Sequence, residues 1–150
     1  MRVLFVCSGN ICRSPTAEAV MRRLVEEAGL GNRIDVDGAG TGDWHVGEPP
    51  DSRAAEAAAR RGITLTGRAR QVSRRDFDEQ DLIVAVDDEN LLRLQEIAPS
   101  GAHARLRRLD GRDVPDPYYG GRGGFDQVLD QVDAACRRLL DEIRAGVHQD

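Results

Sequence analysis

Lysine is missing from this chain of 150 residues, so all 21 of its lysine-or-arginine positions are arginine. A nucleotide-binding P-loop needs a lysine that reaches the phosphates, and this class of site is therefore excluded. The formal net charge of −5 argues against a general nucleic-acid binder, which normally presents a basic face. Any phosphate site must be local and built on arginine. The arginine-only usage, beside abundant alanine and glycine, also indicates a GC-rich, bacterial genome.

Cysteine and histidine are scarce, with three of each. The cysteines, Cys7, Cys12 and Cys136, are too few for a disulfide framework, and a reducing compartment would keep them as thiols. Together with the scattered histidines they do not make the four-ligand set that a zinc site requires. We therefore predict a protein with no metal and no cofactor.

Long apolar runs are absent, and none approaches the roughly 20 residues that a membrane span needs. The opening segment MRVLFVCSGN has too few apolar residues for a signal-peptide core. These features predict a cytoplasmic protein with no membrane partner. The length suits one domain, residues 1–150, with a substantial core, and we expect a monomer that could dimerise weakly.

Strand-like and helix-like segments alternate along the chain. Short apolar runs predict strands at residues 2–6, 34–40, 81–87 and 104–109, the last at a sheet edge. Helical spacing predicts helices at residues 15–28, 51–62, 89–98 and 125–143, and a short helix that starts at Ser73 with Asp76 in an approximate capping box. This alternation indicates a parallel sheet with helices on both faces. Two long irregular stretches, residues 38–50 and 110–124, are of the kind that often carries function.

The segment CSGNICRS, residues 7–14, joins the first strand to the first helix, which is where open α/β sheets bind ligands. Gly9 and Asn10 readily take positive φ, so the loop amides can turn inward and form an anion nest. Arg13 adds a planar charged fork for phosphate oxygens, and these positive surroundings favour the reactive thiolate of Cys7. Ser14 is expected to cap the helix that follows. A bare C-x5-R spacing also fits two cysteines that are simply buried in a turn, so the spacing alone does not decide.

The longer string VCSGNICRSPTAEAV resembles the signature loop of the low-molecular-weight protein tyrosine phosphatases. The resemblance continues, in the order of that family, through DGAGTGDWHVGEPPD, ARQVSRRDF, AVDDEN and DPYYGG. It implies an α/β fold, a single-domain three-layer sandwich with a central four-stranded parallel sheet, helices on both faces and a phosphate-binding loop after the first strand. The loop would consist of Cys7, Ser8, Gly9, Asn10, Ile11, Cys12, Arg13 and Ser14.

This resemblance implies a metal-independent hydrolysis of phosphotyrosine in proteins through a phosphocysteine on Cys7. Arg13 and the loop amides would hold the phosphoryl oxygens, and Ser14 would stabilise the thiolate. Asn10 would maintain the shape of the loop. Asp116 would act first as general acid and then as general base.

The resemblance also implies a substrate cleft lined by Ile11, Trp44, Tyr118 and Tyr119. Relatives that act on phosphoarginine typically carry threonine at the position of Ile11, so this residue favours phosphotyrosine and leaves phosphoarginine as the nearer alternative. An arsenate reductase of the same fold is a second alternative. It would need further redox cysteines downstream, and residues 13–135 contain none.

Cys12 matches the residue that forms a reversible disulfide with the catalytic cysteine in this family, which implies a redox role, although Cys12 could simply be small and buried.

Glycines stand at positions 38 and 67, where many relatives carry the serine and histidine that brace the loop asparagine. Asp87, which matches another member of that bracing network, is retained, so we expect either that water or a nearby arginine substitutes or that the loop is looser. We also expect Gly38→Ser with Gly67→His to stabilise the protein.

Overall fold

Parallel strands alternate with helices through the part of the chain that the computed structural model describes, residues 1–118 and 123–146. The strands are β1 (Arg2–Cys7), β2 (Asp35–Gly40), β3 (Leu82–Ala85) and β4 (Arg105–Arg108). The helices are α1 (Arg13–Glu27), α2 (Ser52–Ala59), α3 (Arg74–Glu79), α4 (Asp88–Ile97) and α5 (Gly123–Arg144). The predicted succession of elements is confirmed, with bounds that differ by at most three residues.

The four strands form one parallel sheet in the order β2-β1-β3-β4. The weakest predicted strand, β4, lies at an edge, as expected. Cys7, the last residue of β1, pairs with Gly40, the last residue of β2. Because all strands run the same way, their carboxyl ends share one edge of the sheet, where α/β proteins bind ligands.

Alternation along β1 divides the interior between the two faces of the sheet. Val3 and Phe5 belong to the larger core, which includes the buried faces of α1 and α5. Leu4 and Val6 belong to the second core, with Phe77 of α3 and other residues of the opposite face. Both sets of strand residues are fully buried, which is why the strand is continuously apolar in sequence. The predicted sheet with helices on both faces is confirmed.

The predicted start of α1 was wrong. The helix begins at Arg13, and Cys12 occupies the N-cap position without a side-chain hydrogen bond. Ser14 lies inside the first turn because its hydroxyl is engaged by the loop that precedes the helix. The predicted capping box at Ser73 and Asp76 is present. No helix within the described residues is both long enough and apolar enough to cross a membrane.

Candidate active site

The loop between β1 and α1, residues 7–14, is called the phosphate loop below. Asn10 has a φ of 57°, and it is the one non-glycine residue with positive φ among the described residues. The amides of Ser8, Gly9, Ile11, Cys12 and Arg13 donate to no acceptor in the described part of the chain. Unpaired amides at a helix N-terminus form a site for an anion. The anion nest predicted from the sequence therefore agrees with the loop that is observed.

Cys7 Sγ has two hydrogen-bond partners at the base of this loop. The Asn10 amide donates to it at 3.2 Å, and Ser14 Oγ lies 3.0 Å away. Ser14 Oγ accepts a hydrogen bond of 2.7 Å from Asn10 Nδ2, and its own proton can reach the Cys7 sulfur or, at 3.4 Å, the Ala39 carbonyl. A backbone amide and a hydroxyl thus hold the sulfur at the base of the loop.

The side chain of Asn10 is held by Arg70, whose amide donates to Asn10 Oδ1 at 3.0 Å. The Arg70 guanidinium binds both carboxylate oxygens of Asp76, at 3.0 and 2.9 Å, and Asp37 at 3.0 Å. Burial opposes ionisation of Asp76, but the bonds from Arg70 and Ser73 outweigh it and lower the pKa of Asp76. Asn10 is thus held by the main-chain amide of Arg70 and not by an arginine side chain.

Close contacts at Gly38 and the backbone conformation at Gly67 both oppose the expected stabilising substitutions. A Cβ on Gly38 would lie 2.8 Å from Glu18 Oε1 and 3.1 Å from Asn10 Nδ2. Gly67 has a φ of +83°, where any L side chain strains the backbone. The strain at Gly67 opposes the expected stabilisation by Gly38→Ser with Gly67→His, which stays a prediction.

Arg13 is only 3% exposed and connects three parts of the molecule. Its Nη1 donates to Asp87 Oδ2 at 2.6 Å and to the Val114 carbonyl at 3.0 Å. Its Nη2 donates to Ser8 Oγ at 3.4 Å and lies 3.6 Å from Asp116 Oδ2. Burial alone lowers the pKa of Arg13, but the Cys7 and Asp87 charges more than offset this and raise it.

Asp87 does not touch Asn10, contrary to the expected bracing network. Its Oδ1 accepts two bonds of 2.8 Å from Asn90, and its Oδ2 binds Arg13. Asp87 therefore fixes the orientation of the guanidinium rather than that of the loop asparagine.

Asp116 faces the same guanidinium from residues 110–118, called the acid loop below. Its side chain is 40% exposed, and its Oδ1 accepts a hydrogen bond of 3.0 Å from the Tyr118 amide. The neighbouring acids point elsewhere: Asp110 binds Gln131 and Arg138, and Asp113 accepts from the Asp88 amide. Asp116 is thus the carboxylate of this loop that reaches Arg13.

A cleft of about 380 Å³ opens above Cys7. Its described lining includes Ile11, Trp44 and Tyr118, three of the four predicted cleft residues. The fourth, Tyr119, lies outside the described residues. The cleft combines apolar and aromatic walls with a cysteine, an arginine and a carboxylate.

His45 also lines this cleft and was not predicted to do so. Its ring centroid lies 5.9 Å from that of Tyr118, at an interplanar angle of 55°, and its Nδ1 lies 2.9 Å from Glu48 Oε2. The sequence feature that could have indicated His45 is its position next to Trp44 in the irregular stretch 38–50. Arg53 is a second unpredicted neighbour, because its guanidinium lies 5.4 Å from the centre of the Tyr118 ring.

The other two cysteines are buried thiols. Burial, with smaller contributions from the Asp51 and Cys7 charges, raises the pKa of Cys12. Burial likewise raises the pKa of Cys136, whose Sγ lies 3.9 Å from the Ala17 carbonyl in the main core. The predicted core position of Cys136 is confirmed. Within residues 1–118 and 123–146, no group of three histidine, cysteine or acidic side chains is arranged to hold a metal ion.

Comparison with known proteins agrees with this geometry. A family profile described as low molecular weight phosphotyrosine protein phosphatase matches residues 2–149. A low molecular weight protein-tyrosine-phosphatase of Streptomyces coelicolor is 47% identical over 156 aligned residues, which cover 97% of this chain and 95% of that protein.

Solved structures show the same likeness. A protein tyrosine phosphatase from Entamoeba histolytica superposes with a TM-score of 0.94 at 37% identity, covering 97% of this chain and 98% of that one. A Drosophila arginine phosphatase superposes with a TM-score of 0.91 at 35% identity, covering 95% and 98%.

A parallel α/β sheet whose first loop presents a cysteine to an anion nest defines a cysteine-dependent phosphatase. The chain belongs to the low molecular weight phosphotyrosine protein phosphatase family. The family resemblance predicted from the sequence is confirmed, and phosphoproteins are its substrate class.

Proposed function

We propose that this enzyme hydrolyses phosphotyrosine in proteins through a phosphocysteine intermediate, without a metal. The observation that carries the proposal is the convergence of Cys7, Arg13 and Asp116 on one cleft with aromatic walls. The phosphate loop supplies a nucleophile and hydrogen-bond donors for an anion together, and the acid loop supplies a carboxyl group beside Arg13.

In the first step, the Cys7 thiolate attacks phosphorus. The S–P bond forms as the bond between phosphorus and the tyrosine oxygen breaks, and Asp116 donates its proton to the departing oxygen. A phenol has a pKa near 10, so this proton assists its departure at neutral pH. Arg13 and the loop amides stabilise the phosphoryl oxygens throughout.

In the second step, water attacks phosphorus while the Asp116 carboxylate accepts a proton from it. The S–P bond breaks, inorganic phosphate forms, and Cys7 leaves as a thiolate. The hydrogen bonds from Ser14 and the Asn10 amide stabilise that thiolate. The same two contacts that activate the nucleophile thus make it a good leaving group.

Phosphoarginine is the alternative substrate, because an arginine phosphatase is among the structural relatives. Against it stand the apolar Ile11, buried in the loop at 7% exposure, and the aromatic rim of Trp44 and Tyr118. An apolar and aromatic wall suits a phenyl ring better than a charged guanidinium chain. We propose phosphotyrosine as the preferred substrate on this basis.

The test compares initial rates on phosphotyrosine, phosphoserine and phosphoarginine peptides, with EDTA present, for the wild type, Cys7→Ser and Asp116→Asn. We expect phosphotyrosine to be hydrolysed fastest in EDTA and Cys7→Ser to lose at least about 10⁴-fold in kcat. Comparable activity in Cys7→Ser would refute the mechanism. A higher kcat/KM for phosphoarginine would reassign the substrate.

We further propose that Cys12 protects Cys7 from irreversible oxidation by forming a reversible disulfide with it. Peroxide oxidises Cys7 to a sulfenic acid, and attack of the Cys12 sulfur on the Cys7 sulfur then forms the disulfide and releases water. The raised pKa of Cys12 keeps it as a thiol at neutral pH, so it does not compete with Cys7 for substrate. Cys12→Ser should reduce the activity recovered by dithiothreitol after peroxide treatment, whereas Cys136→Ala, which alters a core thiol, should not. Equal recovery in Cys12→Ser and the wild type would count against the role.

A further inference from the structure

A second groove, of about 570 Å³, lies beside the catalytic cleft. It runs between the segment that follows β2 and the outer side of α4. Ser8 and Trp44 line both the cleft and the groove. A polypeptide with its phosphotyrosine in the cleft therefore has a continuous path across Trp44 into the groove.

The walls of this groove carry unusual apolar exposure. Trp44 is 68% exposed and Leu92 of α4 is 60% exposed, the highest values among the large hydrophobic side chains that the structure describes. Both line the groove. One exposed leucine needs no explanation, but an exposed leucine and tryptophan in the same concavity, next to an active-site cleft, indicate a contact surface.

The α4 side of the groove also carries an unbalanced charge. Arg93 lies 3.2 Å from Glu96, so these two side chains neutralise each other. Glu89 is exposed, and its carboxylate has no hydrogen-bond or ion-pair partner within the described residues. The groove therefore presents one net negative charge beside its apolar surface.

We propose that this groove binds the substrate polypeptide next to the phosphotyrosine and selects an apolar residue against Leu92 and a basic residue near Glu89. This inference rests on the proposed phosphotyrosine phosphatase function and adds a sequence preference to it. The selected positions should lie within about three residues of the phosphotyrosine, roughly 10 Å of extended chain.

The test measures kcat/KM on free phosphotyrosine and on phosphotyrosine peptides in which leucine, arginine or glutamate is placed at each position within about three residues of the phosphate. Leu92→Ala should lower kcat/KM on the leucine-containing peptides about three- to tenfold, because part of a leucine side chain is no longer buried on binding. Its kcat/KM on free phosphotyrosine should stay within about twofold of the wild type. Ile97→Ala is the matched control, because Ile97 is exposed on the same helix but lies outside the groove.

The second part of the test reverses the charge of Glu89. The wild type should prefer arginine over glutamate at one flanking position, and Glu89→Arg should invert this preference by about two- to fivefold, less at high salt. Equal effects of Leu92→Ala on peptides and on free phosphotyrosine, or an unchanged charge preference in Glu89→Arg, would overturn the groove assignment alone. A wild type that hydrolyses no phosphotyrosine substrate would overturn the proposed function, and the groove assignment with it.

Discussion

In the phosphate loop, Asn10, Arg13 and Ser14 are each at most 5% exposed, whereas in the acid loop the Asp116 side chain is 40% exposed. Asn10 is held through both side-chain atoms, but Asp116 accepts one amide hydrogen bond and faces Arg13 at 3.6 Å. In the proposed mechanism Arg13 stabilises charge throughout the reaction, and its side chain is buried and fixed before substrate binds. Asp116, proposed to exchange protons with substrate and water, is accessible to both.

This difference is what the proposed chemistry of each loop requires. Electrostatic stabilisation works best when donors are already oriented, because no reorganisation is then needed during the reaction. A general acid must instead reach the leaving group and later a water molecule. Substitutions in the phosphate loop should therefore affect every substrate, and substitutions in the acid loop should depend on the leaving group.

Arg13→Lys tests the rigid side of this comparison and should have the largest effect. A lysine cannot contact Asp87, Val114 and the phosphoryl oxygens at once, so we expect kcat/KM to fall about 10³-fold for all aryl phosphates alike. Steady-state kinetics with a series of aryl phosphates measures this. Arg23→Lys, on the exposed face of the same helix, is the control and should change little; a similar loss there would point to damage to α1 itself.

Asp116→Asn tests the accessible side and should cost about 10²- to 10³-fold in kcat/KM on phosphotyrosine, because kcat/KM reports the step in which the phenol departs. The loss should shrink for p-nitrophenyl phosphate, because its more acidic phenol departs with less need of a proton. Asp113→Asn is the matched control in the same loop, since Asp113 accepts from the Asp88 amide instead. A loss that is identical for both leaving groups would contradict the general-acid role.

Asp76→Asn should affect the phosphate loop indirectly, because Asp76 binds the Arg70 guanidinium and the Arg70 amide holds Asn10. We expect a loss of about 1–3 kcal/mol in the free energy of unfolding at neutral pH and a smaller, roughly tenfold, loss in kcat. Asp78→Asn, an exposed position on the same short helix, should leave both unchanged. Thermal unfolding and steady-state kinetics measure the two effects. A loss of stability with no loss of kcat would contradict the proposed support of the phosphate loop by Asp76.

Low pH should weaken the same interaction between Asp76 and Arg70. The pKa of Asp76 is lowered from its ordinary value of 3.8 in the folded state, so its contribution to stability is complete above about pH 4 and is lost as the pH falls through the folded value. The unfolding free energy of the wild type should therefore decline more steeply below about pH 4 than that of Asp76→Asn. Parallel slopes would show that Asp76 does not contribute.

The smallest effect is expected at Gly67. Gly67→Ala should lower the free energy of unfolding by about 1 kcal/mol, because alanine there must adopt positive φ. Gly111→Ala is the matched control: a Cβ meets nothing within 4 Å at either position, and only Gly67 has positive φ. Chemical denaturation that shows equal effects at both positions would contradict the backbone argument.

The fold was predictable because β1 and β3 are continuously apolar and the helices have clear periodicity and caps. The phosphate loop was predictable because its chemistry lies in eight consecutive residues. The hydrogen bond that holds Asn10 was not predictable, because its donor is the main-chain amide of Arg70. Almost every residue type has such an amide, so the sequence does not indicate which one is used. The predicted N-cap at Ser14 was wrong for a different reason. A serine hydroxyl can cap a helix, but here it contacts Cys7 and Asn10 instead.

The clearest test of the central claim is to locate the phosphoryl group after rapid quenching of Asp116→Asn with p-nitrophenyl phosphate, whose phenol departs with less need of the general acid. Loss of the general base should slow hydrolysis of the intermediate, so peptide mapping should find the phosphoryl group on Cys7. A phosphoryl group on Ser8, Cys12 or Ser14, with Cys7 unmodified, would contradict the assignment of Cys7 as the nucleophile.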